Sequence, residues 1–166
     1  VDAGPRDNLA AWLALEHVQP GDVLIIATGG YDKASVIGDL FVGMAKNAGV
    51  AGIVTDGVVR DQEGIEADGI PVFALGISSN SPHKTGPGKI GLPVVIGDIS
   101  ISSGDIACAD RDGVVIVKKN QIDTVVKNLE TVIAKEAGME AEVKSGKKMP
   151  DWASTALENL NIQYLD

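Results

Sequence analysis

The chain has 166 residues with 23 acidic against 14 basic side chains, a formal charge of −9. That balance excludes a surface built to neutralise nucleic-acid phosphates, which needs clustered Lys and Arg; here bases collect only in short patches such as Lys118-Lys119 and Lys144 to Lys148. A composition of 45% hydrophobic and 22% charged residues predicts one globular domain with one core over residues 1–166.

The single cysteine, Cys108, excludes an intrachain disulfide framework or a multi-cysteine metal site and points to a reducing, cytoplasmic setting. No apolar run approaches the ~18 residues a membrane span needs, and residues 1–7 lack the basic start and apolar middle of a signal peptide. Neither a membrane nor a nucleic acid is expected as partner. Because the chain opens without Met and almost at once in a helical pattern, a preceding N-terminal segment is expected in the full protein.

In chain order, Asp7 or Asn8 can cap a helix carrying Leu9, Trp12, Leu13 and Leu15, which Pro20-Gly21 ends. Val23 to Ala27 is a short continuous apolar run, the pattern of a strand buried on both faces. A second helix is predicted from Gly38-Asp39, with Leu40, Phe41, Met44, Ala45 and Ala48 as its core-facing stripe and Gly49 as its stop. Strand-like segments follow at Gly52 to Thr55, Val72 to Leu75, Val94 to Ile96, Asp105 to Ala109 and Val114 to Val117, separated by Gly, Pro or Asp-Gly turns. A last helix is expected over Gln121 to Ala137, capped by Asn120, with Ile122, Val125, Val126, Leu129, Val132 and Ile133 at helical spacing. Strands and helices do not alternate as a dinucleotide-binding βαβ repeat requires. The pattern predicts a mixed, layered α/β domain, and Ser78 to Leu92 forms a long polar loop of a length that signals function or mobility.

Chemistry concentrates where Gly38-Asp39-Leu40-Phe41 meets the end of Gly52 to Asp61. A helix N-terminus with free N–H groups binds anions. Arg60 offers a planar fork that can grip a carboxylate or steady an enolate, and Asp61 is an oxygen ligand of the kind Mg²⁺ prefers. Together they describe a site for a small oxoacid. The plainer reading makes Asp39 an N-cap and Asp56-Gly57 a turn. Arg60 and Asp61 would point to opposite faces of a regular strand, so their convergence requires the chain to leave extended geometry there.

Other motifs carry less. Asp110-Arg111-Asp112-Gly113 lacks the further ligands of a calcium loop and reads as a hairpin turn. Gly86-Pro87-Gly88-Lys89-Ile90 lacks the first Gly and the Ser or Thr of a phosphate loop. His83 reads as an exposed loop histidine, His17 as structural, and Cys108 as a small buried hydrophobe in a strand. Lys33, Lys84 and Lys89 lie in loops, away from the apolar pocket an imine-forming lysine needs.

The run Gly38-Asp39-Leu40, Ala45-Lys46, Gly49, Gly52, Val54, Asp56-Gly57 and Arg60-Asp61 resembles the family of RraA-like proteins and 4-hydroxy-4-methyl-2-oxoglutarate/4-carboxy-4-hydroxy-2-oxoadipate aldolases. The resemblance continues through Pro93-Val94, Gly104-Asp105, Asp110 to Val115, Lys135-Glu136 and Tyr164-Leu165-Asp166. It implies a layered β/β/α, swivelling-domain-like fold, assembled as a homotrimer or hexamer with active sites between subunits. It further implies a class II pyruvate aldolase that depends on Mg²⁺ or Mn²⁺, acts on a small 2-oxo acid and decarboxylates oxaloacetate through the same enolate.

Residue by residue, the resemblance implies that Asp39 positions a water for proton transfer and that the amides of Leu40 and Phe41 bind the pyruvate carboxylate. Arg60 would hold the keto acid and stabilise the enolate. Asp61 would bind the metal, largely through its waters, with Glu136 of a neighbouring subunit supporting those waters. Where many relatives read Gly-Gly and Pro-Gly-Asp, this chain has Gly97-Asp98 and Ser103-Gly104-Asp105. Non-catalytic relatives that regulate ribonuclease activity commonly lack the Asp after the Arg, so Asp61 favours the enzyme over that alternative.

Overall fold

The computed structural model describes residues 1–153. The chain divides into two compact units, Val1–Asn120 and Gln121–Asp166.

In the first unit, α1 (Leu9–Ala14) leads to β1 (Val23–Ile26), β2 (Ser35–Ile37), α2 (Asp39–Asn47), β3 (Gly52–Thr55), β4 (Val58–Val59), α3 (Gln62–Asp68), β5 (Val72–Phe73) and β6 (Gly76–Ile77). These strands form two parallel sheets of three, ordered β1-β3-β5 and β2-β4-β6. The chain steps from the first sheet to the second through Asp56-Gly57, and Leu75 repeats the step one strand over, its N–H donating to Gly57 O at 2.9 Å. Then come β7 (Val94–Ile96), β8 (Ile99–Ile101), β9 (Ile106–Asp110) and β10 (Gly113–Val117), in antiparallel pairs β7–β8 and β9–β10.

The layering follows from the two-residue period of β1. Leu24 and Ile26 join a core with Ala11 and Ala14 of α1, Phe41, Val42 and Ala45 of α2, Ile53 of β3 and Ile65 of α3. Ile25 and Ala27 point the other way, into a smaller cluster with Val94, Ile96, Ile101 and Ile116. One parallel sheet is thereby covered by helices on one side and by antiparallel strands on the other. Phe41, Ile26, Ile53 and Val42 are fully buried, each burial stabilising the fold by ~1.5–3 kcal/mol.

Two buried carboxylates tie loops to this frame. Asp7 accepts from Leu9 N–H (2.9 Å), Thr85 N–H (2.8 Å), Thr85 Oγ1 (3.1 Å) and Gly86 N–H (3.2 Å). Its burial would raise its pKa, but these donors outweigh that effect and hold the carboxyl below its usual value. It both starts α1 and fastens the long loop. Asp56 accepts from Thr28 N–H (2.5 Å), Thr28 Oγ1 (3.0 Å) and Gly30 N–H (2.9 Å). It is thus more than a turn residue: it locks the end of β1 to the crossover between sheets.

The structure corrects several expectations. Four short strands (β2, β4, β6 and β8) and helix α3 were not legible, because two- and three-residue strands are too brief to show a period. In α2 the buried positions are Phe41, Val42 and Ala45, whereas Leu40 and Met44 are 72% and 52% exposed. The core-facing stripe is therefore rotated towards Val42. Cys108 lies in β9 but is exposed. Asp110 to Gly113 is the expected hairpin turn, with Asp110 paired to Gly113.

In the second unit, α4 (Ile122–Lys144) follows a 3₁₀ turn at Lys119–Gln121. Its N-cap is Gln121 instead of Asn120, and it continues past Ala137 through Gly138 to Lys144. An isolated glycine costs only ~1 kcal/mol in a helix, and Lys144 pairs with Glu140 one turn back at 3.1 Å. The apolar spacing is as expected, yet none of its residues is buried; Val126, Leu129, Val132 and Ile133 are 46–61% exposed. Among the described residues no helix is long and apolar enough to cross a membrane. Tyr164-Leu165-Asp166, where the resemblance ends, lies outside the described residues.

Candidate active site

Strand β4 delivers Arg60, and the next residue leaves extended geometry. Asp61 has φ 56° and ψ 46°, the left-handed region that Asp tolerates better than most residues but that still costs of order 1 kcal/mol. The turn folds the Asp61 side chain back on Arg60, whose Nε–H donates to Asp61 Oδ2 at 3.1 Å. Both side chains are partly open to solvent, at 38% and 44% exposure. This is the departure from strand geometry that convergence of the two residues required.

The first turn of α2 lies against this pair. Gly38, its N-cap, is extended, and a Cβ there would sit 2.6 Å from Asp61 Oδ2 and 3.0 Å from Arg60 Cγ. Asp39 is half-buried at the helix start, where a Cβ on Gly64 of α3 would lie 2.6 Å from its own Cβ. Two glycines therefore let the α2 N-terminus approach both the Arg60–Asp61 pair and α3. The Leu40 N–H donates to Asp39 Oδ1 at 2.6 Å and the Phe41 N–H to Gly38 O at 3.1 Å. A ligand carboxylate at the Leu40 amide would take the position that Asp39 Oδ1 holds.

Phe41 is buried, with its ring edge-on to Trp12 at 4.9 Å between centroids, and this anchors the turn that presents Asp39 and Leu40. From the opposite side Ser81 Oγ accepts from Arg60 Nη1 at 2.7 Å. The first unit thus assembles Gly38, Asp39, Leu40, Phe41, Arg60 and Asp61. Glu136 belongs to the second unit, where it is an exposed residue of α4.

Ser81 and Gly64 escaped the sequence reading. A serine in a polar loop carries no spacing signal, and Gly64 lies in a helix too short to show its period. Among the described residues no three His, Cys, Asp or Glu side chains form a metal-holding group. A hydrated Mg²⁺ or Mn²⁺ needs only one or two carboxylates from a protein, and Asp61 has an oxygen to offer: its Oδ2 takes the Arg60 Nε–H, while Oδ1 has no donor among the described residues.

The family model for RraA-like proteins (Aldolase/RraA) matches residues 1–116. The chain belongs to the RraA-like family. A Halalkalibacterium halodurans protein provisionally named a 4-hydroxy-4-methyl-2-oxoglutarate aldolase is 37% identical over 127 residues, 76% of this chain and 60% of that protein. The chain therefore spans about 60% of the length of this curated relative. Among solved structures, one from Geobacillus kaustophilus HTA426, described as an S-adenosylmethionine:2-dimethylmenaquinone methyltransferase, is 34% identical. Its TM-score is 0.68 over 72% of this chain and 73% of that one. Streptomyces coelicolor RraAS2, described as an unusual member of the RNase ES inhibitor RraA family, is 30% identical with a TM-score of 0.74, over 80% and 68%. The RraA-like family thus holds aldolases and ribonuclease inhibitors on one mixed α/β fold.

Proposed function

We propose that this RraA-like protein is a divalent-metal-dependent pyruvate aldolase that cleaves 4-hydroxy-2-oxo acids of the 4-hydroxy-4-methyl-2-oxoglutarate type. Oxaloacetate decarboxylation is the proposed side activity. The observation that carries the reading is the left-handed turn at Asp61, which sets a carboxylate and a guanidinium side by side at the N-terminus of α2. A non-glycine residue at φ 56° costs stability, and here the turn that bears this cost is the one that pairs Asp61 with Arg60.

In the proposed reaction Arg60 grips the 2-oxo acid with the N–H groups not given to Asp61 and Ser81. The Leu40 amide receives the 1-carboxylate as Asp39 swings aside, and the Phe41 amide shares it with Gly38 O, to which it donates at 3.1 Å. When the C3–C4 bond breaks, its electron pair moves onto the keto oxygen, and the positive charge of Arg60 stabilises the resulting enolate. The C4 hydroxyl proton leaves to a base as the second carbonyl forms. A water held by Asp39 then returns a proton to C3 and pyruvate is released. Asp61, with Glu136 of a neighbouring copy, would hold Mg²⁺ or Mn²⁺, which when bound would supply Lewis-acid stabilisation of the charge that develops on the oxoacid. A homotrimer or hexamer is the proposed assembly.

The name of the Halalkalibacterium relative supports this reading. A second reading, a non-catalytic protein-binding regulator of ribonuclease activity, draws on the likeness to the Streptomyces protein; the Arg60–Asp61 pair favours the enzyme. The methyltransferase description of the Geobacillus protein finds less support. A nucleoside crevice of the doubly wound kind needs one continuous parallel sheet, whereas the parallel strands here divide into two sheets of three.

The deciding experiment measures pyruvate release from several 4-hydroxy-2-oxo acids and from oxaloacetate, with Mg²⁺ or Mn²⁺ and with EDTA. Metal-dependent release is expected. Borohydride trapping of substrate on a lysine, with indifference to EDTA, would overturn the mechanism.

A further inference from the structure

A guanidinium carries five N–H donors. That of Arg60 is held at two of its three nitrogens: Nε by Asp61 Oδ2 at 3.1 Å and Nη1 by Ser81 Oγ at 2.7 Å. With Asp61 as its only anchor, the fork could turn about its Nε–Cζ bond and about the side-chain torsions below it. A second acceptor on Nη1 removes that freedom and leaves three N–H groups without an acceptor among the described residues.

Ser81 can act this way because the segment before it is fastened. The Ser78 N–H donates to Val59 O in β4 at 2.9 Å. Asn80 O accepts from the Ser35 N–H at 2.9 Å and from Ser35 Oγ at 2.8 Å. Asn80 Nδ2 donates to Lys33 O at 2.9 Å. Ser35 opens β2, the strand paired with β4, so the loop that carries Ser81 is stitched to the same two strands that deliver Gly38 and Arg60. The Ser81 side chain is itself exposed, so it adds little to the core.

We propose that Ser81 is a positioning residue which orients the Arg60 fork so that its free N–H groups meet an oxoacid anion already aligned. The inference rests on the reading of Arg60 as the anion-gripping residue. Pre-setting the donor moves the ordering cost from binding into folding, which favours the charged transition state over a mobile side chain. The long loop is on this view part of the site and not only a connection.

The test uses the full chain as wild type, Ser81→Ala and Ser81→Thr, with nitrogen-15 NMR of the arginine side chains at low temperature. Wild type and the Thr variant should show separate Arg60 Nη signals, because rotation about Nε–Cζ is slowed, and the Ala variant should show them merged. Oxalate, a planar enolate mimic, should bind the Ala variant about tenfold more weakly and the Thr variant nearly as well as wild type, an effect of the size expected for losing one charge-assisted hydrogen bond at an exposed site. Identical Arg60 signals in wild type and the Ala variant, or unchanged oxalate affinity, overturn the proposal. The NMR result does not depend on turnover. If no 2-oxo acid is cleaved by the wild type while the signals behave as expected, the aldolase reading fails and the hold of Ser81 on Arg60 stands.

Discussion

Gly38 and Asp61 are in such close approach that a methyl group on the first would collide with the second: the Cβ position of Gly38 lies 2.6 Å from Asp61 Oδ2. The backbone of Gly38 is extended, so alanine is conformationally acceptable there, and the collision is relieved by moving the Asp61 carboxylate and the Arg60 side chain, whose Cγ and Nε would lie 3.0 and 3.1 Å from the new methyl. Gly38→Ala should therefore leave the melting temperature within a few degrees of wild type while lowering pyruvate release by about tenfold or more, since small misplacements of positioning groups are costly. Gly64→Ala should behave oppositely. Its Cβ would meet Asp39 Cβ at 2.6 Å, an atom fixed to the backbone, so α2 and α3 must part at a cost of about 1–3 kcal/mol, read by urea denaturation.

Arg60 and Asp61 touch each other yet should fail differently. Asp61→Ala should raise the Mg²⁺ or Mn²⁺ concentration needed for half-maximal activity, with partial recovery at high metal. Arg60→Lys should reduce turnover at saturating metal, because an ammonium does not reproduce the planar fork. Metal titrations of both variants, with circular dichroism to verify folding, separate the roles; near-normal turnover in both would place the site elsewhere.

Asp56 is buried and satisfies three donors, two from Thr28 and one from Gly30. Asp56→Ala would strand the buried Thr28 N–H and Oγ1 away from water, at about 1–3 kcal/mol for the first and somewhat less for the second, whereas the N–H of the exposed Gly30 can turn to water. A total loss of about 2 kcal/mol or more in urea denaturation is expected. Asp56→Asn keeps one acceptor oxygen and should lose about half as much. Equal stability of the Ala variant and wild type would remove this carboxylate from the account of how β1 is joined to the crossover.

Asp105 links the β8–β9 turn to the end of β10. It accepts from Ser102 N–H at 3.0 Å, Lys119 N–H at 2.9 Å and Lys118 Nζ at 3.0 Å. These bonds favour the carboxylate and lower its pKa from 3.8 to about 2. Between those values the unfolded chain binds more protons than the folded one, so the stabilisation is fully present above about pH 4 and is lost as the pH falls towards 2. Asp105→Asn should flatten the stability profile over that window and leave its shape above pH 5 unchanged, which a series of thermal melts can measure.

How much of this was written in the sequence differs from element to element. Continuous apolar runs marked β1, β3 and β7, and a helical pattern opening on Gly38-Asp39 marked α2, because strand burial and helix capping act over a few neighbouring residues. The motif around Arg60-Asp61 singled out the residue types of an oxoacid site for the same reason: charge, donor geometry and ligand preference are properties of side chains. The face α2 buries was beyond reach, since Leu40 and Val42 are equally apolar and only the packing of α1 and α3 against the helix decides which of them meets the core. Whether Arg60 and Asp61 converge was decided by a left-handed backbone turn whose cost is offset by the surrounding fold. That Gly64 makes room for Asp39, and that Ser81 reaches Arg60 from 21 positions away, depended on chain segments brought together by two sheets between which the chain steps repeatedly. Local chemistry is legible along a chain, but approach distances arise only once distant backbones have packed.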